Sequence, residues 1–415
     1  MTTCVAVGWT EPDGGNGLIE VSTDGGAQWS SETVSPLLDS VSCSNVEKCI
    51  ASGDGEVFLT DDGGSTWSSV SPPTSGAVSC SADNDCFMVG GGSSQEILQT
   101  TDGGTTWSTE SWSAPAQIGG LFGGPYTLSG ANLTSIACPS TSVCVAVGQA
   151  TYYWNPPPET TLPEEEEYPG IVVTTGDGGQ TWSAQIGPMS APFAPAGLNA
   201  VSCTSTEQCL AVGSIGSYAL TSDDEGATWS GNLAGGWPQE FTPNGLSCPD
   251  TSDCIVVGES KGGQYTSPVM SSSDGGATWT PQAVSESTAT LQSVACVTDG
   301  SCWAVGGTSK GSIVLHTLTG GDAWPEVTGI DPASGSAGGG TSVTISGLQF
   351  DLGVTSVSFG TVTTTAFTVD SPTQITVTSP PMAEGSSETV DVTVNSVLGS
   401  SPPTPADQFT YQPDS

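Results

Sequence analysis

A tandem repeat constrains this chain more than any other feature. One unit recurs seven times over residues 1–324, and its best-formed copy reads NAVSCTSTEQCLAVG, an apolar run, then SDDEGATWS, within 199–230. The first half has the form C-x5-C-hydrophobic-A/V-V-G. It supplies the pairs Cys43/Cys49, Cys80/Cys86, Cys138/Cys144, Cys203/Cys209, Cys248/Cys254 and Cys296/Cys302. The second half has the form S/T-x-D-G-G-x-T-W, with Asp24, Asp62, Asp102, Asp177, Asp224 and Asp274 at its third position. A worn seventh copy, LTGGDAW, lies at 318–324.

Each unit reads as four short strands. Strand A is the S-V-S-C run, strand B is C-V-A-V-G, strand C is the apolar run before the aspartate (IVVTT at 171–175), and strand D begins at T-W-S. Alternation, β-branched residues and flanking Gly/Asp turns fit strands. A repeat of about 40–50 residues with four strands is the signature of a propeller blade. In the turn, the aspartate accepts backbone N–H groups, the glycines supply angles a Cβ opposes, and the tryptophan buries surface against neighbouring strands. Seven near-copies around a ring cannot all be one active site, so the turn reads as structural.

Composition removes whole classes of function. The chain has 3 Lys+Arg against 43 Asp+Glu, a net charge of −40, with no arginine and a single histidine, His316. The bases are Lys48, Lys261 and Lys310. Without cations to displace counterions, nucleic acid is excluded as a partner. A histidine metal cluster is impossible, and a histidine triad has only His316 to draw on. No membrane insertion and no obligatory cofactor are expected.

The A-V-G … T-x-D-G-G-x-T-W rhythm resembles the Asp-box (BNR) repeat of sialidases, sortilin-type receptors and the photosystem II assembly factor family, the last most of all. The resemblance covers about 1–324 and implies a β-propeller. It says little of function, because unrelated activities share the box. Sialidases grip their substrate with an arginine triad, which this chain lacks. Xyloglucan hydrolases form their cleft between two rings, and one ring is expected here.

The cysteine pairs flank the A–B turn, so the sulfurs face each other across a hairpin, as a local disulfide requires. Repetition once per blade favours disulfides over zinc and implies export to an oxidising compartment, at the cell surface or beyond it. Cys4, in CVAVG at 4–8, stands outside the six pairs. Its strand A and cysteine belong upstream of Met1, and no export signal is visible, so a truncated N-terminus is expected. A first blade that borrows its inner strand from elsewhere is the alternative.

After Trp324 the cysteines and the aspartate turn disappear. Strands VTSVSFG (354–360), ITVTSPP (375–381), TVDVTVNS (389–396) and FTY (409–411) alternate with Gly/Pro turns, as in a small sandwich. Pro332, Gly335, Gly339, Gly340, Thr341, Gly347, Phe350, Phe359 and Gly360 resemble the IPT/TIG immunoglobulin-like domain. The fold class expected is therefore all-β: a seven-bladed β-propeller over 1–324, its first blade lacking its first strand, with a C-terminal immunoglobulin-like β-sandwich over 325–415. A spacer or presentation role fits the sandwich.

In a propeller the A–B and C–D turns share one face and the B–C and D–A loops the other. The long insertions fall on the second face: a D–A loop at 108–132 with Trp112, Phe122 and Tyr126, and a B–C loop at 149–170 containing TYYWNPPPETTLPEEEEYPG. Elaborated loops on a rigid scaffold are where function usually sits. Tyr152, Tyr153, Trp154, Trp237, Phe241 and Tyr265 join the aromatic set. These rings stack on sugars or anchor a protein partner, or else pack the loops onto the ring. Glu164, Glu165, Glu166 and Glu167 bond hydroxyls, meet a basic partner or hold Ca²⁺, or else form a solvated acidic loop. The expected function is non-catalytic extracellular recognition or scaffolding, with a glycan or protein partner. The alternatives are a polysaccharide-active hydrolase or lyase, for which the sequence carries no specific carboxylate signal, and a self-associating surface or filament subunit.

Overall fold

The structure is a computed structural model. It describes all residues outside 1–2, 10–14, 24–27, 73, 91–95, 120–124, 155–164, 188–196, 214–217, 234–240, 261–266, 283, 285–288, 298–300, 309–310, 318–324, 349, 351–352, 383–386, 397–399, 402–403, 405 and 414–415. Asp24 and the worn turn at 318–324 thus lie outside the described residues. Among the described residues there are strands and turns and no helix, so the chain is all-β. It divides into two compact units: Met1–Pro281 with Thr288–Thr298 and Trp303–His316, and Thr317–Ser415 with Gln282–Ser287 and Asp299–Cys302.

The first unit holds seven antiparallel sheets in chain order, the blades of a β-propeller. Blade five is representative, with Leu198–Cys203, Cys209–Gly213, Tyr218–Ser222 and Ser230–Leu233 as a meander. The first and seventh blades show three strands each among the described residues. Strand B is buried along its whole length in Cys49–Gly53, Cys86–Val89 and Cys209–Gly213, because each lies between neighbouring sheets. This is why these strands read as unbroken apolar runs.

A serine repeated in strand A joins the blades. Its hydroxyl accepts the backbone N–H of the next blade's first cysteine: Cys80 to Ser42 at 3.0 Å, Cys138 to Ser79 at 3.0 Å, Cys248 to Ser202 at 3.0 Å and Cys296 to Ser247 at 2.9 Å. Between blades four and five, Ala137 stands in that place, and Val201 N–H instead donates to Ser135 at 3.3 Å.

The aspartate, the hydroxyl residues and the glycines of the turn each have a bond to make. In blade four, Asp177 Oδ1 accepts Thr181 N–H at 2.9 Å and Thr175 Oγ1–H at 2.9 Å, and Oδ2 accepts Thr181 Oγ1–H at 2.6 Å. The Thr175 hydroxyl accepts Gly179 N–H at 3.0 Å. Asp62, Asp102, Asp224 and Asp274 repeat the pattern. The second glycine meets the preceding blade: a Cβ on Gly179 (φ +87) would lie 2.7 Å from the Phe87 ring. The tryptophan sits one residue before strand D rather than opening it. In Trp107, Trp229 and Trp279 the ring N–H donates back to the second glycine's carbonyl, as in Trp229 to Gly226 at 2.9 Å, whereas the ring N–H groups of Trp67 and Trp182 are buried without a partner.

The A–B and C–D turns of one blade share an end. Gly178 N–H donates to Ser142 O at 2.9 Å and Gly275 N–H to Ser252 O at 2.8 Å. Five disulfides pin the A–B turns, Cys43–Cys49, Cys80–Cys86, Cys138–Cys144, Cys203–Cys209 and Cys248–Cys254, with Cα separations of 4.0–4.1 Å. Cys296 and Cys302 are disulfide-bonded as well, making six bridges. Two residues past the first cysteine, Asn45, Ser140, Ser205 or Asp250 accepts the turn's N–H groups.

The second unit is a two-sheet sandwich. One sheet runs Glu326–Asp331, Ser342–Leu348, Gln374–Thr378, Phe367–Ser371, and the other Ser334–Ser336, Gln408–Gln412, Glu388–Ser396, Val354–Phe359, Val362–Thr364. Phe359, Phe409 and Tyr411 pack edge-to-face in its core, the first two with centroids 5.3 Å apart.

Candidate recognition surface

Blade four departs from the repeat. Its strand A spans Pro125–Ala137 and its strand B Cys144–Trp154, 13 and 11 residues where blade five has 6 and 5. The six extra residues of strand B carry it about 20 Å further, away from the disulfide at Cys144. Two short strands flank the extension, Gln117–Gly119 on Pro125–Thr127 and Glu165–Glu167 on Tyr152–Trp154. The described residues of 108–132 and 149–170, expected as loops, are therefore largely strand. A ladder satisfies backbone groups that a long loop would leave to water.

The register sorts the candidate residues by face. Directly paired residues point to the same side of a sheet. One row, Leu128–Tyr152–Glu167, faces inward, as does the paired Ile118–Tyr126. Tyr126 and Tyr152 are fully buried and Glu167 is buried. Trp112 packs in the same core, and the Tyr152 hydroxyl donates to Pro115 O at 2.7 Å. Burial pushes the Tyr152 phenol up. The adjacent row, Gln117–Thr127–Tyr153–Glu166, crosses all four strands and is exposed throughout. Tyr153 is 38% exposed, and Tyr168, at 43%, donates its hydroxyl to the Glu166 carboxylate.

The structure therefore brings Trp112, Tyr126 and Tyr152 together as core, and Tyr153 and Glu166 together on the surface. Phe241 is buried in a different core with Leu210, Val212 and Trp279, away from that surface. Phe122, Glu164, Trp237 and Tyr265 lie outside the described residues, as do the side chains of Trp154 and Glu165. Gln117, Thr127 and Tyr168 were not among the sequence candidates. Thr127 adjoins Tyr126 in the sequence, and nothing there marks Gln117 or Tyr168.

The disulfide end carries two equivalent clefts between blades. One of about 260 Å³ between blades two and three is lined by Lys48, Asp61, Asp83 and Asp102, and one of about 310 Å³ between blades five and six by Asp223, Asp250 and Asp274. Among the described residues no group of three or more His, Cys, Asp or Glu is placed to hold a metal. No helix among them is long and apolar enough to cross a membrane.

Comparison with known proteins agrees with this architecture. No curated protein matches the sequence. YCF48 from Cyanidioschyzon merolae is similar in structure, with a TM-score of 0.51 at 17% identity over 77% of this chain and 96% of that one. PorZ, a bacterial surface component of the type-IX secretion system of Porphyromonas gingivalis, has a TM-score of 0.50 at 14% identity over 99% of this chain and 58% of that one. At such identities the likeness is one of fold. Residues 325–411 match the IPT/TIG domain family, so the chain joins a β-propeller to an IPT/TIG domain.

Proposed function

We propose that this protein is a non-catalytic extracellular recognition protein that holds its partner on the outward face of the blade-four extension. The reading takes 1–324 as an Asp-box propeller and 325–415 as an IPT/TIG module that presents it. Six disulfides support an oxidising compartment. The observation that carries the reading is the exposed row Gln117–Thr127–Tyr153–Glu166, four side chains in register on a rigid sheet, backed by a core of buried aromatic rings. A ring, a hydroxyl, an amide and a carboxylate in a line offer one stacking surface flanked by donors and acceptors. Aromatic side chains on a preorganised platform dominate binding energy because little entropy is lost on contact.

The test is binding by the full chain to a glycan array and to a peptide array, with Tyr153→Ala and Tyr168→Ala beside the wild type. We expect affinity for the captured ligand to fall about tenfold or more in each variant, the loss of a contact worth about 1.4 kcal/mol or more. Ligands bound equally by both variants would place recognition elsewhere on the molecule.

A further inference from the structure

Resting on that reading, we infer that the surface takes a cationic protein segment, with a lysine or arginine side chain seated between Tyr153, Glu166 and Tyr168. Glu166 is directly opposite Tyr153 in the register, so their Cβ atoms are cross-strand neighbours about 5 Å apart. Tyr168 donates its hydroxyl to one oxygen of the same carboxylate. That bond holds the carboxylate beside two exposed rings. Rings with a carboxylate among them suit an ammonium or guanidinium. The ring faces attract the cation and the carboxylate accepts its N–H groups.

Charge points the same way. The net charge is −40, with three lysines in the whole chain against 43 acidic residues. The surrounding field draws basic partners and repels anionic glycans, nucleic acids and anionic lipid. Gln117 and Thr127, in the same row, are placed to bond the backbone of a segment lying across the strands. A neutral glycan would use the ring and the polar groups but gain nothing from the field. Its binding would be insensitive to salt.

The experiment measures binding of a fluorescein-labelled deca-arginine peptide to the full chain by fluorescence anisotropy, at low and at physiological salt. Glu166→Gln is compared with Glu207→Gln, which removes the same charge from an exposed position at the disulfide end. General attraction to an acidic protein affects both equally. We expect Glu166→Gln and Tyr153→Ala each to weaken binding about fivefold or more, Tyr153→Phe to keep it within about twofold because the ring remains, and Glu207→Gln to change it less than about twofold. Circular dichroism of each variant should match the wild type, since the altered side chains are exposed. Equal effects of Glu166→Gln and Glu207→Gln, with none from Tyr153→Ala, would overturn the inference. If neutral oligosaccharides then bind in a Tyr153-dependent, salt-independent manner, the recognition surface stands and its cationic partner falls. If neither probe depends on Tyr153, both fall.

Discussion

Glu225 stands where the other described turns have their first glycine, and it adopts a φ of 62°. Its N–H makes the same bond as those glycines, to Glu207 O at 3.2 Å. Geometry is kept, and the Cβ bears the cost of a left-handed backbone. Glu225→Gly should therefore raise stability by about 1 kcal/mol, measured by urea denaturation. An unchanged or lower midpoint would contradict that. The aspartate and glycines of the turn were legible in the sequence because their roles follow from backbone geometry. The roles of Thr175 and Thr181 were not. A hydroxyl that bridges a carboxylate to an N–H leaves no more mark on a sequence than a solvated threonine. The inter-blade serines were hidden for the same reason, since Ser42 bonds a residue 38 positions away.

The blade hairpin is held by a cross-link and a turn at the same end. Removing one bridge with Cys203→Ser and Cys209→Ser should cost about 2 kcal/mol, because a loop this short constrains the unfolded chain only modestly. Denaturation of the double variant against the wild type checks this, and a loss several times larger would mean the bridges hold blades rather than hairpins. Regular strands were legible from alternation and from the C-x5-C spacing. The blade-four extension was not. Register shifts between Leu128 and Gly130 and between Leu133 and Ser135 break the period of two. The strand Glu165–Glu167 is three glutamates, a composition that reads as a solvated loop and is ordered by pairing with Tyr152–Trp154. As a result Trp112, Tyr126 and Tyr152 read as surface candidates from sequence, while their register makes them core.

At the scale of the whole molecule, the seven sheets and the sandwich were legible because each repeat dictates its own strands, whereas the partner was not, because one exposed row among so many polar residues has no sequence signature. Charge governs the response to acid. Hydrogen bonds from the Thr66 hydroxyl and N–H, then from the Thr60 hydroxyl, hold Asp62 below the ordinary value of 3.8; the equivalent threonines do the same for Asp102 and Asp177, and Thr228 with Ser222 for Asp224. At Asp274 burial opposes the shift and the bonds from Thr278 and Ser272 outweigh it. Carboxyls lowered on folding add stability that is complete above the ordinary value and is lost as pH falls through the lowered values. Burial shifts Asp39 and Asp407 upward, so these two favour folding as pH falls. With few positive charges left after the carboxylates protonate, repulsion in acid is slight. The β-type circular dichroism should therefore persist at about pH 3, and its cooperative loss between about pH 5 and 4 would contradict the sign of these shifts. The most direct test of the account is hydroxyl-radical footprinting of the native chain, read at individual tyrosines. Fast labelling of Tyr153 and Tyr168 with protection of Tyr126 and Tyr152 is predicted by the alternation of the blade-four sheet. Comparable labelling of Tyr152 and Tyr153 would mean that the segment is a loop and that the recognition surface does not exist.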